Sequence, residues 1–285
     1  VVPNGGGVHV KNISLWRIVT LVVLLNCPAF AFGDNAGVAD VAGKAGFLRG
    51  KVSVFGADGK TRELVRDGTV SPGEKIVTGE DAKIRIEFTD GTELWLGENS
   101  ELTVDQYVFA EGGKDREKVS MWLRFAKGTC RMITGAITKI NPDRVKVKTR
   151  VATVGIRGCD VGISGSGGIN EVYVLGLGKG ESVVVETTSK GVPILDVATG
   201  QPVMFDKTLG TVIDVPHSGT RVTIVENKGV VEERLTKEQM AGFLSAVSHL
   251  PAAEYDMIQD NDGATLILKP GSQKPELPAK ASGRE

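Results

Sequence analysis

An all-β fold, an antiparallel meander, β-roll or sandwich of short strands with one short C-terminal helix, follows from three observations on this sequence. Short runs of alternating apolar and charged residues succeed one another from Phe47 to about Val231. Glycine-rich turns separate them, and clear helical spacing appears only after Thr236.

The first element is an export leader. Lys11 and Arg17 precede the apolar run Ile18 to Leu25, and the small-x-small triplet Ala29-Phe30-Ala31 closes it. That is the layout of a cleaved signal peptide, so residues 1–31 are expected to be removed and the mature chain to be periplasmic or secreted. Ile18 to Phe32 is 15 residues and contains Asn26 and Pro28, whereas a spanning helix needs about 20 apolar residues. An uncleaved anchor is the alternative, and a membrane partner is expected only in that case. Residues 32–45 then read as a linker and 46–231 as the β domain.

Within that domain the clearest strand is Ile84, Ile86 and Phe88 alternating with Lys83, Arg85 and Glu87. One side is apolar and the other charged, as a half-buried strand requires. Asp90-Gly91 predicts a tight type I′ turn, and Leu94 and Leu96 continue the apolar side on the returning strand. Gly97-Glu98-Asn99-Ser100 turns the chain again toward Leu102 and Val104. Further strands are expected at Val145 to Arg150, Glu171 to Leu175, Ser182 to Thr187, Val192 to Val197, Val203 to Phe205 and Val222 to Val225. The glycine cluster Gly162 to Gly168 reads as a mobile hairpin loop.

Residues 232–268 form a helical and strand extension. Thr236-Lys237-Glu238-Gln239 has the spacing of a capping box, and Met240, Phe243, Leu244 and Val247 follow at helical intervals. Residues 269–285, rich in Pro, Lys, Ser and Gly, read as a disordered tail.

A net charge of −1 supplies no global field for nucleic acid or anionic lipid, and no nucleic-acid partner is expected. Catalytic constellations are scarce. Of three histidines only His217 and His249 lie beyond the leader. Gly162-Ile163-Ser164-Gly165-Ser166 ends in Ser where a nucleophile elbow has Gly, and Gly176 to Glu181 fails the phosphate-loop spacing. Asp260-Asn261-Asp262-Gly263 lacks the later ligands of a calcium loop and reads as a polar turn. We therefore expect no enzyme, no cofactor and no metal.

Two surface features remain as binding candidates. Arg144, Lys146, Lys148 and Arg150 share one strand face without interleaved aromatics, which reads as a solvated face or as contact with an anionic glycan. Trp95 alternates with Leu94 and Leu96 and should point away from the core, toward either later strands or a partner. Together with the loops at Asp90-Gly91 and Gly165 to Gly168 it forms the expected recognition patch.

At this point an ordered set of motifs is in view. Pro72-Gly73-Glu74-Lys75-Ile76-Val77-Thr78-Gly79, Phe88-Thr89-Asp90-Gly91, Leu96-Gly97-Glu98-Asn99-Ser100, Gly128, Val147-Lys148-Thr149, Ala152 to Gly158 and Gly200-Gln201 resemble the FecR domain over residues 46–201. The resemblance implies a β-rich extracytoplasmic module of the kind found in regulators of iron-uptake signalling. Such regulators place a cytoplasmic anti-sigma segment before the membrane. The dozen or so residues ahead of the apolar run here are too few for one, so direct sigma-factor control is not expected.

Gly158-Cys159 departs from the family's usual Gly-Thr. Cys130 lies in the same matched region, and an oxidising compartment would let the two form a disulfide. Closing a loop of roughly 30 residues would add about 3 to 4 kcal/mol, with two free thiols as the alternative. The expectation is thus an exported, non-enzymatic binding or scaffolding protein of the bacterial envelope that recognises a protein or glycan. The alternative is a membrane-anchored component of a cell-surface signalling pathway.

Overall fold

Apolar residues at every second position hold one side of an extended chain against a core, and this chain does so in a long succession of strands. The structure, a computed structural model, describes residues 41–109, 116–195, 199, 202–204, 210–248, 255–260 and 263–268. The expected leader 1–31, most of the linker, His249 and the tail 269–285 lie outside the described residues.

The first strands are β1 (Gly43–Arg49), β2 (Val52–Phe55), β3 (Thr61–Glu63), β4 (Thr69–Val70), β5 (Lys75–Thr78), β6 (Lys83–Phe88), β7 (Glu93–Leu96) and β8 (Glu101–Val108). The 14-residue β9 (Ser120–Ile133) follows. Beyond it come a short helix α1 (Ala136–Ile140), then β10 (Val145–Lys148), β11 (Ala152–Ile156), β12 (Asp160–Ser166), β13 (Ile169–Gly176) and β14 (Val183–Lys190). The chain continues through β15 (Ile194–Leu195), β16 (Pro202–Met204), β17 (Gly210–Val215), β18 (Thr220–Val225) and β19 (Gly229–Arg234). A second helix α2 (Lys237–Val247) precedes the separate hairpin β20 (Tyr255–Asp260) and β21 (Gly263–Leu268).

The first nineteen strands are hydrogen-bonded into one continuous sheet, which divides at β9 into two layers. Layer A runs β4-β1-β6-β7-β9-β12-β13-β18-β19-β15-β16. Layer B runs β3-β2-β5-β8-β9-β10-β11-β14-β17. The N-terminal part of β9 serves layer B and its C-terminal part serves layer A. Among the described residues only β9–β10 and β15–β19 pair in parallel; the other pairings are antiparallel.

One core joins residues of both layers, with Val54, Ile76 and Leu102 from layer B and Ile84, Ile86 and Leu94 from layer A. A second apolar cluster lies on layer A, where Trp95, Tyr173 and Leu175 meet Met240, Phe243 and Leu244 of α2. The predicted capping box starts that helix: Thr236 Oγ1 accepts from the Gln239 N–H at 3.2 Å, and Gln239 Oε1 accepts from the Thr236 N–H at 2.8 Å.

Three local expectations are corrected. The sheet begins at Gly43, inside the expected linker. The β6–β7 connection is not a two-residue type I′ turn. Phe88 O accepts from the Gly91 N–H and Phe88 N donates to Thr92 O, with Gly91 at φ +83° and Asp90 outside the left-handed region. That is a three-residue loop closed by a left-handed glycine. Lastly, Gly162 to Ser166 belong to β12, paired on both sides with β9 and β13, and only Gly167-Gly168 form the turn.

Candidate binding surfaces

Asp90 is 7 % exposed, and its place in the fold follows from its hydrogen bonds. The carboxylate accepts from the Thr92 N–H, Thr92 Oγ1, the Ile137 N–H and the Tyr107 hydroxyl. Its carbonyl accepts from the Ala136 N–H. This residue ties the hairpin to α1 and is withdrawn from the recognition patch expected of it. Gly91 beside it is exposed, with no neighbour within 4 Å of where a Cβ would stand.

Trp95 does point away from the main core, but α2 covers it, leaving 5 % exposed. Phe47 packs against its ring at 5.8 Å and the Arg85 guanidinium lies over it at 5.3 Å. Across the same face Phe243 stacks on Tyr173 at 4.3 Å. A Cβ at Gly162 would stand 2.2 Å from the Phe243 ring, so glycine at this strand position is what admits the helix. Trp95 is therefore a seat for α2 rather than an exposed anchor.

Beside that seat α2 and layer A enclose a cleft of about 900 Å³. Lys127, Thr129, Ser164 and Ser166 line its sheet side, and Ser245 and Ala246 its helix side. Lys83 Nζ ties the two sides together by donating to the carbonyls of Ser245 and Ser248, the latter at 3.0 Å. Burial and then the nearby Arg49 charge push the Lys83 ammonium below the usual lysine range. Glycine-rich sequence had marked Gly165 as recognition loop. The structure puts Gly165 in this cleft through strand pairing rather than through a loop.

The basic stripe lies on the outer side of layer B. Lys146 and Lys148 are exposed while Val145 and Val147 enter the core. Arg150 is exposed and pairs with Glu226 at 3.2 Å. The stripe is not free of aromatics: the parallel register with β9 sets Trp122, 40 % exposed, directly opposite Lys146, and Arg124 opposite Lys148. Met121 and Leu123 at the alternate positions are buried, so the outward direction of Trp122 was readable from local alternation. Its neighbour across the ladder was not.

The expected disulfide does not form. Cys130 and Cys159 are both free and buried. Cys159 is held opposite Thr134, whose N–H donates to its carbonyl at 3.1 Å, whereas Cys130 pairs with Ile163. Four residues of extended chain, from Cys130 in β9 to Thr134 just past its end, separate the two registers, about 13 Å, and a bridge needs Cα atoms within about 7 Å. Burial pushes the Cys130 thiol up to about 12 and holds Cys159 well above the ordinary thiol range. Both behave as core apolar groups.

Among the described residues no three of His, Cys, Asp and Glu gather as metal ligands, and no helix is long and apolar enough to cross a membrane. Fold and surfaces together define the class: an all-β module with recesses and charged faces. More particularly, the family model described as FecR protein matches residues 74–176, from the start of β5 to the end of β13, so this segment is similar to that family.

Among solved structures, a chain described as a cell surface anchoring domain shares 31 % identity over 22 % of this chain and 82 % of its own, at a TM-score of 0.21. A proposed anti-sigma factor from Parabacteroides distasonis ATCC 8503 shares 10 % identity, with 69 % of this chain and 99 % of that one covered and a TM-score of 0.38. A second structure under the same description gives 9 % identity and the same coverage and score. Comparison with curated proteins finds no match.

Proposed function

We propose that this protein is an exported, non-enzymatic FecR-domain module that binds or scaffolds an envelope component, taking a polar segment of a protein or glycan in the cleft beside α2. One observation carries the reading. The cleft wall is built jointly by the FecR domain and the C-terminal helix, so an occupant would touch both. Hydroxyls from Thr129, Ser164 and Ser166, set among cations such as Lys127 and carboxylates such as Asp81, Glu98 and Glu171, suit a polar, hydroxylated segment. The FecR domain also favours a second reading in which residues 12–32 are retained as an anchor and the same cleft reports to a cell-surface signalling pathway.

The test is backbone hydrogen exchange with solubilised envelope glycopeptides added. Protection should appear at Lys127 to Thr129 and along α2, and Ser164→Trp, which fills the cleft, should abolish it. Equal protection in Ser164→Trp would remove the cleft from the reading. The intact mass of protein recovered from the envelope separates the two forms: a start at Phe32 supports the exported module, and retention of residues 1–31 supports the anchored one.

A further inference from the structure

We propose that the outer side of layer B around Trp122, Lys146 and Lys148 is a binding site for a linear anionic polysaccharide, a chain of carboxylated sugars. The site is separate from the cleft, which lies against layer A.

Three features of the surface point to that ligand. Lys146 and Lys148 project from alternate positions of one strand, about 7 Å apart, and neither has an ion-pair partner among the described residues. Arg124 alongside is already held by Asp105, with Nε donating to Oδ2 at 3.0 Å. The two lysines therefore form a short row of cations without a direct ion pair, which carboxylates recurring along a stiff polymer can engage. Trp122 lies across the ladder from Lys146 and offers a flat, exposed indole on which the apolar side of a sugar ring can lie while its rim stays wet.

The third feature is the floor. Gly155 is opposite Lys146 on the other side, and nothing approaches closer than 3.7 Å to where its Cβ would stand, so no side chain rises between Lys146 and Val184. A shallow recess of about 150 Å³ opens there, lined by Lys146, Thr153, Glu186 and the Arg157–Asp143 ion pair, with hydrogen-bonding groups for the sugar hydroxyls. Indole, ammonium and recess thus succeed one another across neighbouring strands.

A single exposed indole distinguishes this surface from a track for single-stranded nucleic acid, which stacks successive bases on successive aromatics. The net charge of −1 supplies no long-range attraction for a polyanion, so recognition rests on these local contacts.

Affinity electrophoresis in gels containing polygalacturonate, with neutral dextran as the control polymer, tests the site. The full chain should be retarded by polygalacturonate alone, less so at higher salt. Trp122→Ala and the double variant Lys146→Gln/Lys148→Gln should each weaken retardation by about tenfold. The exposed lysine variants keep the test valid should Trp122→Ala fail to fold. Absence of retardation by polygalacturonate, or undiminished retardation of the lysine variant, overturns the proposal. So does equal or stronger binding to phosphatidylglycerol vesicles or to oligo(dT) in parallel assays.

Discussion

At the scale of single residues, what looked like recognition chemistry proves to hold the chain together. Asp90 serves four donors at once inside the protein, and an unsatisfied buried donor costs about 1 to 3 kcal/mol. Asp90→Ala should therefore lower stability by about 3 kcal/mol in urea unfolding, with Asp90→Asn intermediate; a loss under about 1 kcal/mol would show that water replaces the carboxylate. The same applies to Ser100, fully buried, which donates to Thr129 O and accepts from the Thr129 N–H while Thr78 Oγ1 binds its own amide. Asp-Gly and Gly-Glu-Asn-Ser are legible in the sequence as turns. That Asp90 and Ser100 turn inward is not, because the donors they satisfy come from residues as far on as Ile137 and Thr129.

At the scale of elements, α2 and its seat show both what local pattern reveals and where it stops. The capping box and the apolar stripe of α2 are local, and they placed the helix correctly from Thr236. Trp95 was just as correctly read as leaving the main core, yet nothing near it in sequence says that a helix some 145 residues on lies over it. Gly162 reads as loop in the sequence because glycine is scarce inside strands; the demand it meets, room for Phe243, is long-range. Phe243→Ala should cost about 3 kcal/mol and Gly162→Val about 2 kcal/mol. Both should shift Trp95 emission to longer wavelength in a background with Trp16→Phe and Trp122→Phe. An unchanged spectrum in Gly162→Val would mean that the ring moves aside without freeing the helix.

At the scale of the whole molecule, the protein should be weakest in alkali. Burial pushes Cys130 up to about 12 and, with help from Glu171, Tyr173 up to about 12 as well. Burial raises Tyr107 too. In the unfolded chain these groups lose their protons from about pH 9 for the thiol and about pH 10 for the phenols. Above those values the unfolded state holds fewer protons than the folded one, so stability falls as pH rises toward 12. Urea midpoints should be level near pH 8 and drop by pH 11, and the double variant Cys130→Ala/Cys159→Ala should delay the onset; a level profile to pH 11 would contradict the assignment. The all-β class was legible from alternation alone, as in β6, whereas the division into two layers at β9 was not. That division depends on β9 pairing with β7 and β12 at one end and with β8 and β10 at the other.

The position of β9 also bears on how the chain reaches this state. Among the described residues, β1 to β8 pair only with one another or with β9, and β10 to β19 likewise. The strand is a spine with the earlier-made half of the protein on one side and the later-made half on the other. A chain emerging N-terminus first would close its first eight strands against β9 and then present two bare edges of that strand, one in each layer. Every later strand grows outward from those edges. Assembly then has a direction, and the stage at which β9 is laid down but β10 and β12 have not yet arrived is when an exposed edge is most open to pairing with another chain.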